Sequence, residues 1–283
     1  MPSDLEFISA RQPEAAETAW GQRYGGSQPA SAHAALDALL AHRSVRKYLP
    51  RVVPKGTLEQ LIAAAQSAAS SSNLQLWSVI SVEDPERRRA LAEVAGNQAH
   101  IQASSLFLVW IADLNRLGVL AARQGLPQVG LSYLELFLMA SIDAALAAQN
   151  AVVAAEALGL GTVYIGALRN SPDRVAQILK LPEHTFAVFG LCVGYPDPME
   201  RTAVKPRLPQ SVVLHRDEYR PVQSVIDDVT EYDRAMTRFY TEQNMKTGGE
   251  WSRHSALRVS DVASLRGRDR LREHLSALGF ELK

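Results

Sequence analysis

The sequence predicts an α+β sandwich built around a central sheet, and three observations carry that expectation. Three runs have strand character, LWSVISVE, SLFLVWIAD and TFAVFGLCVGY, and helical patterns lie between them without regular alternation. One helical pattern, LELFLMASIDAALAAQNAVVAAEALGLG, is far more apolar than the others. The anchors of competing folds are missing: no GxGxxG follows an early strand, and GxxxxGK[ST], HExxH and GxSxG do not occur.

Taken in order, residues 1–33 are rich in Ala, Gly, Ser, Pro and Gln without periodicity. They are expected to form a poorly ordered N-terminal extension with no catalytic role. From Ala34, AALDALLAH has helical spacing and should end near His42, ahead of Pro50. Thr57 is the expected N-cap of TLEQLIAAAQSAA, with Gln60 completing a capping box before the break SSSN. LWSVISVE, PERRRALAEVA and SLFLVWIAD read as strand, helix and strand, with Pro85 suited to a first helical turn. Gly118, Gly125 and Pro127 mark a loop before the long apolar helix, which should close at ALGLG through a left-handed glycine.

TVYIGAL is then a short strand, SPDRVAQILKL a helix with Ser as cap and Pro in its first turn, and TFAVFGLCVGY a strand. PDPMERTAVKPRLPQ is punctuated by prolines and cannot be a regular helix. Two polar helices, roughly 224–245 and 255–278, finish the chain around TGGE.

Lys plus Arg and Asp plus Glu both total 30, so no overall field favours nucleic acid or an anionic membrane. The sole cysteine, Cys192, sits in an apolar run, which excludes an internal disulfide and a Cys-based metal cluster. No metal site is expected. The N-terminus lacks the basic start and apolar core of an export signal, and Glu135, Asp143, Gln149, Asn150 and Glu156 interrupt the long apolar stretch. That stretch is expected to be a buried helix of a soluble, cytoplasmic protein with no membrane partner.

Several segments could hold an anion or a flat polar ring. If 42–46 is extended, His42, Ser44 and Arg46 share one face beside Arg43, offering a hydroxyl and cations; a solvated helix end is the competing explanation. Lys205 and Arg207 flank Pro206 and could meet one anion, or simply belong to a charged loop. Ser70, Ser71 and Ser72 could cap backbone groups or donate to a polyhydroxylated ligand. Gln98 could both donate to and accept from a heterocycle, although a surface glutamine is commoner. In Tyr164-Ile165-Gly166-Ala167-Leu168, Gly166 would let a ring approach backbone amides, or the stretch is a buried strand ending in a turn.

HRSVRKY, SAASSSNLQLWSVI, GNQAHI, AAQNAVVAAEALGLGTVYIGALRN, LPEHTFAVFGLCVGYP and KPRLP occur in an order and spacing that resembles the NADPH-preferring branch of the bacterial nitroreductase and flavin reductase family. The resemblance runs from about Ala34 to the C-terminus. It implies a three-layer sandwich with a mainly antiparallel sheet and an intertwined homodimer holding FMN where subunits meet. Residues 34–220 would be the FMN-binding core, and 221–283 a helical excursion serving the nicotinamide or substrate site.

By the same resemblance, His42 and Ser44 with neighbouring Arg43 fall at the FMN phosphate, Arg46 at the pyrimidine edge, and Lys205 and Arg207 complete the phosphate clamp. Gln98 and Ser70, Ser71 and Ser72 fall on flavin-contacting segments, the serines reaching the partner subunit's flavin. Tyr164 to Leu168 surround the amides beside the redox-active nitrogen, with Ala167 standing where the branch commonly has a second glycine. Lys246 and Arg268 are the remaining basic positions for NADPH, in a stretch, NMKTGGEW, poorer in cations than the branch usually has. NADPH or NADH would be the donor, and the flavin rather than any side chain would carry the chemistry, in a ping-pong two-electron reduction of nitroaromatics, quinones or related small acceptors. A non-catalytic FMN sensor or carrier, and members specialised for dehalogenation or metal-oxyanion reduction, are the alternatives.

Overall fold

The computed structural model describes residues 18–26, 33–200 and 202–283. It divides into a smaller unit, Met1–His42 with Ala203–His254, and a larger one, Arg43–Thr202 with Ser255–Lys283. Most of the extension expected at 1–33 lies outside the described residues; the part that is described forms helix α1 (Ala19–Tyr24). Thr18 accepts the Gly21 N–H at 3.0 Å to start α1, and Gly25, at φ 69°, ends it. Helix α2 (Ala34–Leu40) stops within two residues of the expected end.

Helix α3 (Thr57–Gln66) opens the larger unit. Thr57 is not its cap: Gly56 occupies that position at φ 88°, a left-handed backbone that favours glycine, and Thr57 is the buried first helical residue. Strand β1 (Trp77–Ser81), helix α4 (Pro85–Val94), the short α5 (His100–Ala103) and strand β2 (Leu106–Asp113) follow. The loop expected around Gly118 is instead helix α6 (Asn115–Arg123). Gly118 is there for packing, since a Cβ would lie 3.0 Å from Gln128 Oε1 and 3.2 Å from Leu131 Cδ1.

The long apolar pattern forms helix α7 (Leu134–Ala157), after which Gly159 turns left-handed at φ 75°. Strand β3 (Gly161–Ile165), helix α8 (Pro172–Leu179) and strand β4 (Thr185–Gly194) complete the sheet. Among the described residues it has four antiparallel strands in the order β1-β2-β4-β3.

Alternation along β2 builds the layers. Phe107, Val109 and Ile111 face a core with Leu91 of α4, Val175 of α8 and Leu168. Leu108 and Trp110 face the other way, onto Leu61 of α3 and Ala147, Ala151 and Val152 of α7. Each such large side chain contributes roughly 1.5–3 kcal/mol on burial. This is the expected three-layer sandwich. Although α7 is long and apolar enough to cross a membrane, the alanines along one side pack into this core.

In the smaller unit, α9 (Gln210–Val213) and α10 (Ile226–Glu242) follow the extended proline-rich stretch. Tyr232, Met236, Phe239 and Tyr240 form one apolar face of α10 over Ala203, Leu208 and Trp251. The single helix expected at 255–278 is broken into α11 (Trp251–Leu257) and α12 (Leu271–Ala277), because Arg266 and Gly267 both adopt left-handed conformations between them.

Candidate flavin site

Residues 44–48 are extended and pinned against the sheet. Ser44 bridges Thr162 of β3 in parallel, the Val45 amide donates to the Thr162 carbonyl at 2.9 Å, and Tyr48 bridges Pro196. The buried Tyr48 hydroxyl donates to the Val45 carbonyl at 2.7 Å. Val45 points inward and is buried, so Ser44 and Arg46, on the alternate face, are exposed as a pair. Gly161 permits this approach: a Cβ there would lie 2.6 Å from Val45 Cγ2 and 2.8 Å from Val45 Cβ. Arg43 points elsewhere and donates to Thr202 Oγ1 at 3.0 Å.

Arg46 makes no ion pair among the described residues. A residue the sequence reading missed, His100, feels its charge: burial first, then Arg46, lowers the His100 pKa below the ordinary histidine range. His100 Nε2 is shielded and has no partner. Arg46, exposed and without a counter-charge among the described residues, fits a polar, electron-accepting ring edge. Nothing in the spacing of GNQAHI distinguishes His100 from a surface histidine. Gln98 donates from Nε2 to the Ala95 carbonyl at 2.9 Å, so part of its amide is already engaged.

Beyond β3 the chain turns through Gly166 in a short helical turn, Gly166–Asn170. Ile165 and Leu168 are core side chains, and Ala167 packs against the same core, so only their backbone is available to a ligand. Tyr164 donates to Gln149 Oε1 at 3.3 Å and packs edge-on against Phe189, and burial raises its pKa. Arg268 donates from Nε to Asn170 Oδ1 at 2.9 Å and from Nη2 to the Gly166 carbonyl at 3.1 Å. It thus ties this turn together, a structural role beside any it has toward a dinucleotide.

Ser70, Ser71 and Ser72 lie on a turn whose backbone is left-handed at Ser72, Asn73 and Gln75. Such conformations cost of order 1–3 kcal/mol each and persist where surroundings over-determine them. Here the determinant is Asp143, a buried residue of α7 that sequence reading treated only as an interruption of an apolar run. Its Oδ2 accepts from Ser70 Oγ at 2.7 Å and from the Leu76 amide at 3.0 Å, closing both ends of the turn. Ser70 Oγ accepts in turn from the Gln75 amide at 2.8 Å. Ser71 and Ser72 are left exposed at the tip.

The remaining predicted residues belong to the smaller unit. His42, Lys205 and Arg207 are brought together there around Arg23: its guanidinium donates to the His42 carbonyl at 2.9 Å and to the Lys205 carbonyl at 3.4 Å, and its own carbonyl accepts from the Arg207 amide at 3.0 Å. Lys246 is exposed elsewhere in that unit. Among the described residues no group of three His, Cys, Asp or Glu side chains could hold a metal ion.

Comparison with known proteins places this α+β scaffold. The model of the nitroreductase family matches residues 39–125 and 134–195, and that of the nitroreductase family C-terminal domain matches 205–283. The chain belongs to the nitroreductase family. It is 39% identical over 208 residues to the NADPH-flavin oxidoreductase of Vibrio harveyi, covering 74% of this chain and 83% of that protein. It is 38% identical over 220 residues to the oxygen-insensitive NADPH nitroreductase of Salmonella typhimurium, covering 77% and 88% respectively. The solved structure of the Vibrio harveyi NADPH:FMN oxidoreductase complexed with NAD+ has a TM-score of 0.78 at 35% identity, covering 88% of this chain and 99% of that one.

Proposed function

We propose that this chain is an FMN-dependent NAD(P)H oxidoreductase of the nitroreductase, quinone reductase or flavin reductase kind, acting in the cytoplasm as a homodimer on small electron acceptors. The observation that carries this reading is the pinned segment on β3, which exposes Ser44 and Arg46 on either side of buried Val45, Arg46 having no ion pair among the described residues. Relatives named for NADPH, FMN and flavin reduction support the choice of cofactor and donor.

Bound FMN would supply the two-electron redox chemistry. In this reading Arg46 sets a fixed positive charge against the ring edge that becomes negative on reduction, and Ser44 donates a hydroxyl proton to the cofactor. Gly166 would present its backbone amide to the ring, and a Cβ there would lie 3.2 Å from the Arg169 guanidinium. The exposed Ser71 and Ser72 hydroxyls and Gln98 complete the polar contacts, with Arg43 nearby. His42, Lys205 and Arg207 are assigned to the phosphate, and Lys246 with Arg268 to the nicotinamide donor. No side chain is assigned as acid, base or nucleophile.

The dimer is supported by α7. Leu134, Leu138, Ile142 and Leu146, four residues apart, are all exposed along one side of it, and so long an apolar stripe suits burial against a second copy.

The test is to load the purified chain with FMN, mix it anaerobically with NADPH or NADH, and then add a quinone or a nitroaromatic. Bleaching of the yellow absorbance followed by its return on adding acceptor is expected. Persistent colour would favour a flavin carrier, and a chain that takes up no FMN would sink both readings.

A further inference from the structure

Helix α1 precedes the region matched by the family models, which begins at residue 39. Nevertheless Arg23, near its end, is buried, with 6% of its surface exposed. The planar guanidinium spreads its donors over separate carbonyls: Nε to Leu40 at 2.5 Å, Nη2 to His42 at 2.9 Å and Nη1 to Lys205 at 3.4 Å. The Arg23 carbonyl holds the Arg207 amide at 3.0 Å. Within α1 itself, Thr18 caps the helix start and the Trp20 and Tyr24 rings pack on each other with centroids 4.9 Å apart.

Residues that are to meet one anion need a fixed spacing, and hydrogen bonds to their backbone can supply it. Arg23 touches the backbone of all three residues assigned to the phosphate. We propose that Arg23 is a positioning residue that sets the spacing of His42, Lys205 and Arg207 for a phosphate monoester. This chain's preference for FMN over riboflavin, its dephosphorylated form, then depends on a helix lying ahead of the family region. The inference rests on the FMN reading above.

Riboflavin isolates the phosphate. Affinities of full-length wild type, Arg23→Ala and Arg23→Lys for FMN and for riboflavin are measured by quenching of flavin fluorescence. The alanine variant should bind FMN about tenfold or more weakly while riboflavin changes less than about twofold, so that the ratio of the two affinities collapses. The lysine variant, with one compact ammonium in place of a three-way fork, should lower the ratio in part, and it serves if the alanine variant fails to fold. Equal weakening of both ligands, or an unchanged ratio in whichever variant folds, overturns the proposal. A wild type that binds no FMN would instead defeat the flavin reading itself.

Discussion

Replacing Gly161 by Ala tests the seating of residues 44–48. The new Cβ would meet Val45 Cγ2 at 2.6 Å, Val45 Cβ at 2.8 Å and Pro196 Cγ at 3.0 Å. Val45 is β-branched and buried, so it cannot swing away as the tip of a long side chain would. Overpacking of this kind costs about 1–3 kcal/mol. Pushing Val45 outward also strains the 2.9 Å bond from its amide to the Thr162 carbonyl, worth about 0.5–1.5 kcal/mol.

A combined loss of about 3 kcal/mol lowers the melting temperature of a chain this size by roughly 6–12 °C, measured by differential scanning calorimetry of the FMN-free protein. FMN affinity should fall roughly tenfold or more, because Ser44 and Arg46 move with Val45. Adding Val45→Ala removes the 2.6 Å contact but leaves the 2.8 Å one, so the double variant should recover stability only in part. A Gly161→Ala protein with unchanged melting temperature and FMN affinity would refute the idea that close approach fixes the segment.

Arg207→Ala should weaken FMN retention by about 1.5–3 kcal/mol, or about 10- to 150-fold, through loss of a charge-assisted phosphate contact; equal retention in equilibrium dialysis would remove it from the clamp. Asp143→Ala should destabilise the chain by about 2–4 kcal/mol in urea unfolding, and Asp143→Asn by less, since one oxygen can still accept from Ser70 and Leu76. Burial pushes the Cys192 thiol from 9.0 up to about 12, so it should resist iodoacetamide in the folded protein at about pH 8 and react fully in urea. Because its folded pKa is raised, its contribution to stability is complete below the unfolded value and is lost as pH climbs from 9.0 toward about 12. His100 behaves oppositely: its depressed pKa means the unfolded chain binds the proton more readily, so stability declines as pH falls through the ordinary histidine range. His100→Asn should flatten the loss of melting temperature between about pH 7 and about pH 5.

The strands and α7 were legible because their signals are local: a continuous apolar run in β2 and a long run of small apolar residues in α7 survive without knowledge of neighbours. Helix α6 was not, since Gly118 looks like punctuation until Gln128 and Leu131 are seen to need its space. The break between α11 and α12 likewise hangs on Arg266, a residue with no intrinsic preference for a left-handed backbone. In the candidate site, an extended reading of 42–46 put His42, Ser44 and Arg46 on one face; Ser44 and Arg46 are exposed around buried Val45, but so are Arg43 and Lys47. Arg23, His100 and Asp143 escaped, because each derives its role from partners at least 17 residues away in sequence or from burial alone.

Ile142 and Asp143 are adjacent in α7 but do different work, one exposed within the apolar stripe and the other buried beneath the serine turn. Successive helical residues point about 100° apart, and a helix rotates as a stiff rod. A roll of α7 that re-seats Ile142 against another surface would therefore drag the carboxylate sideways beneath Ser70 and Leu76. Side chains exchanged along the outer stripe could thus retune the shape of the turn without any residue of the turn changing, giving evolution a remote handle on the groups proposed to meet the flavin.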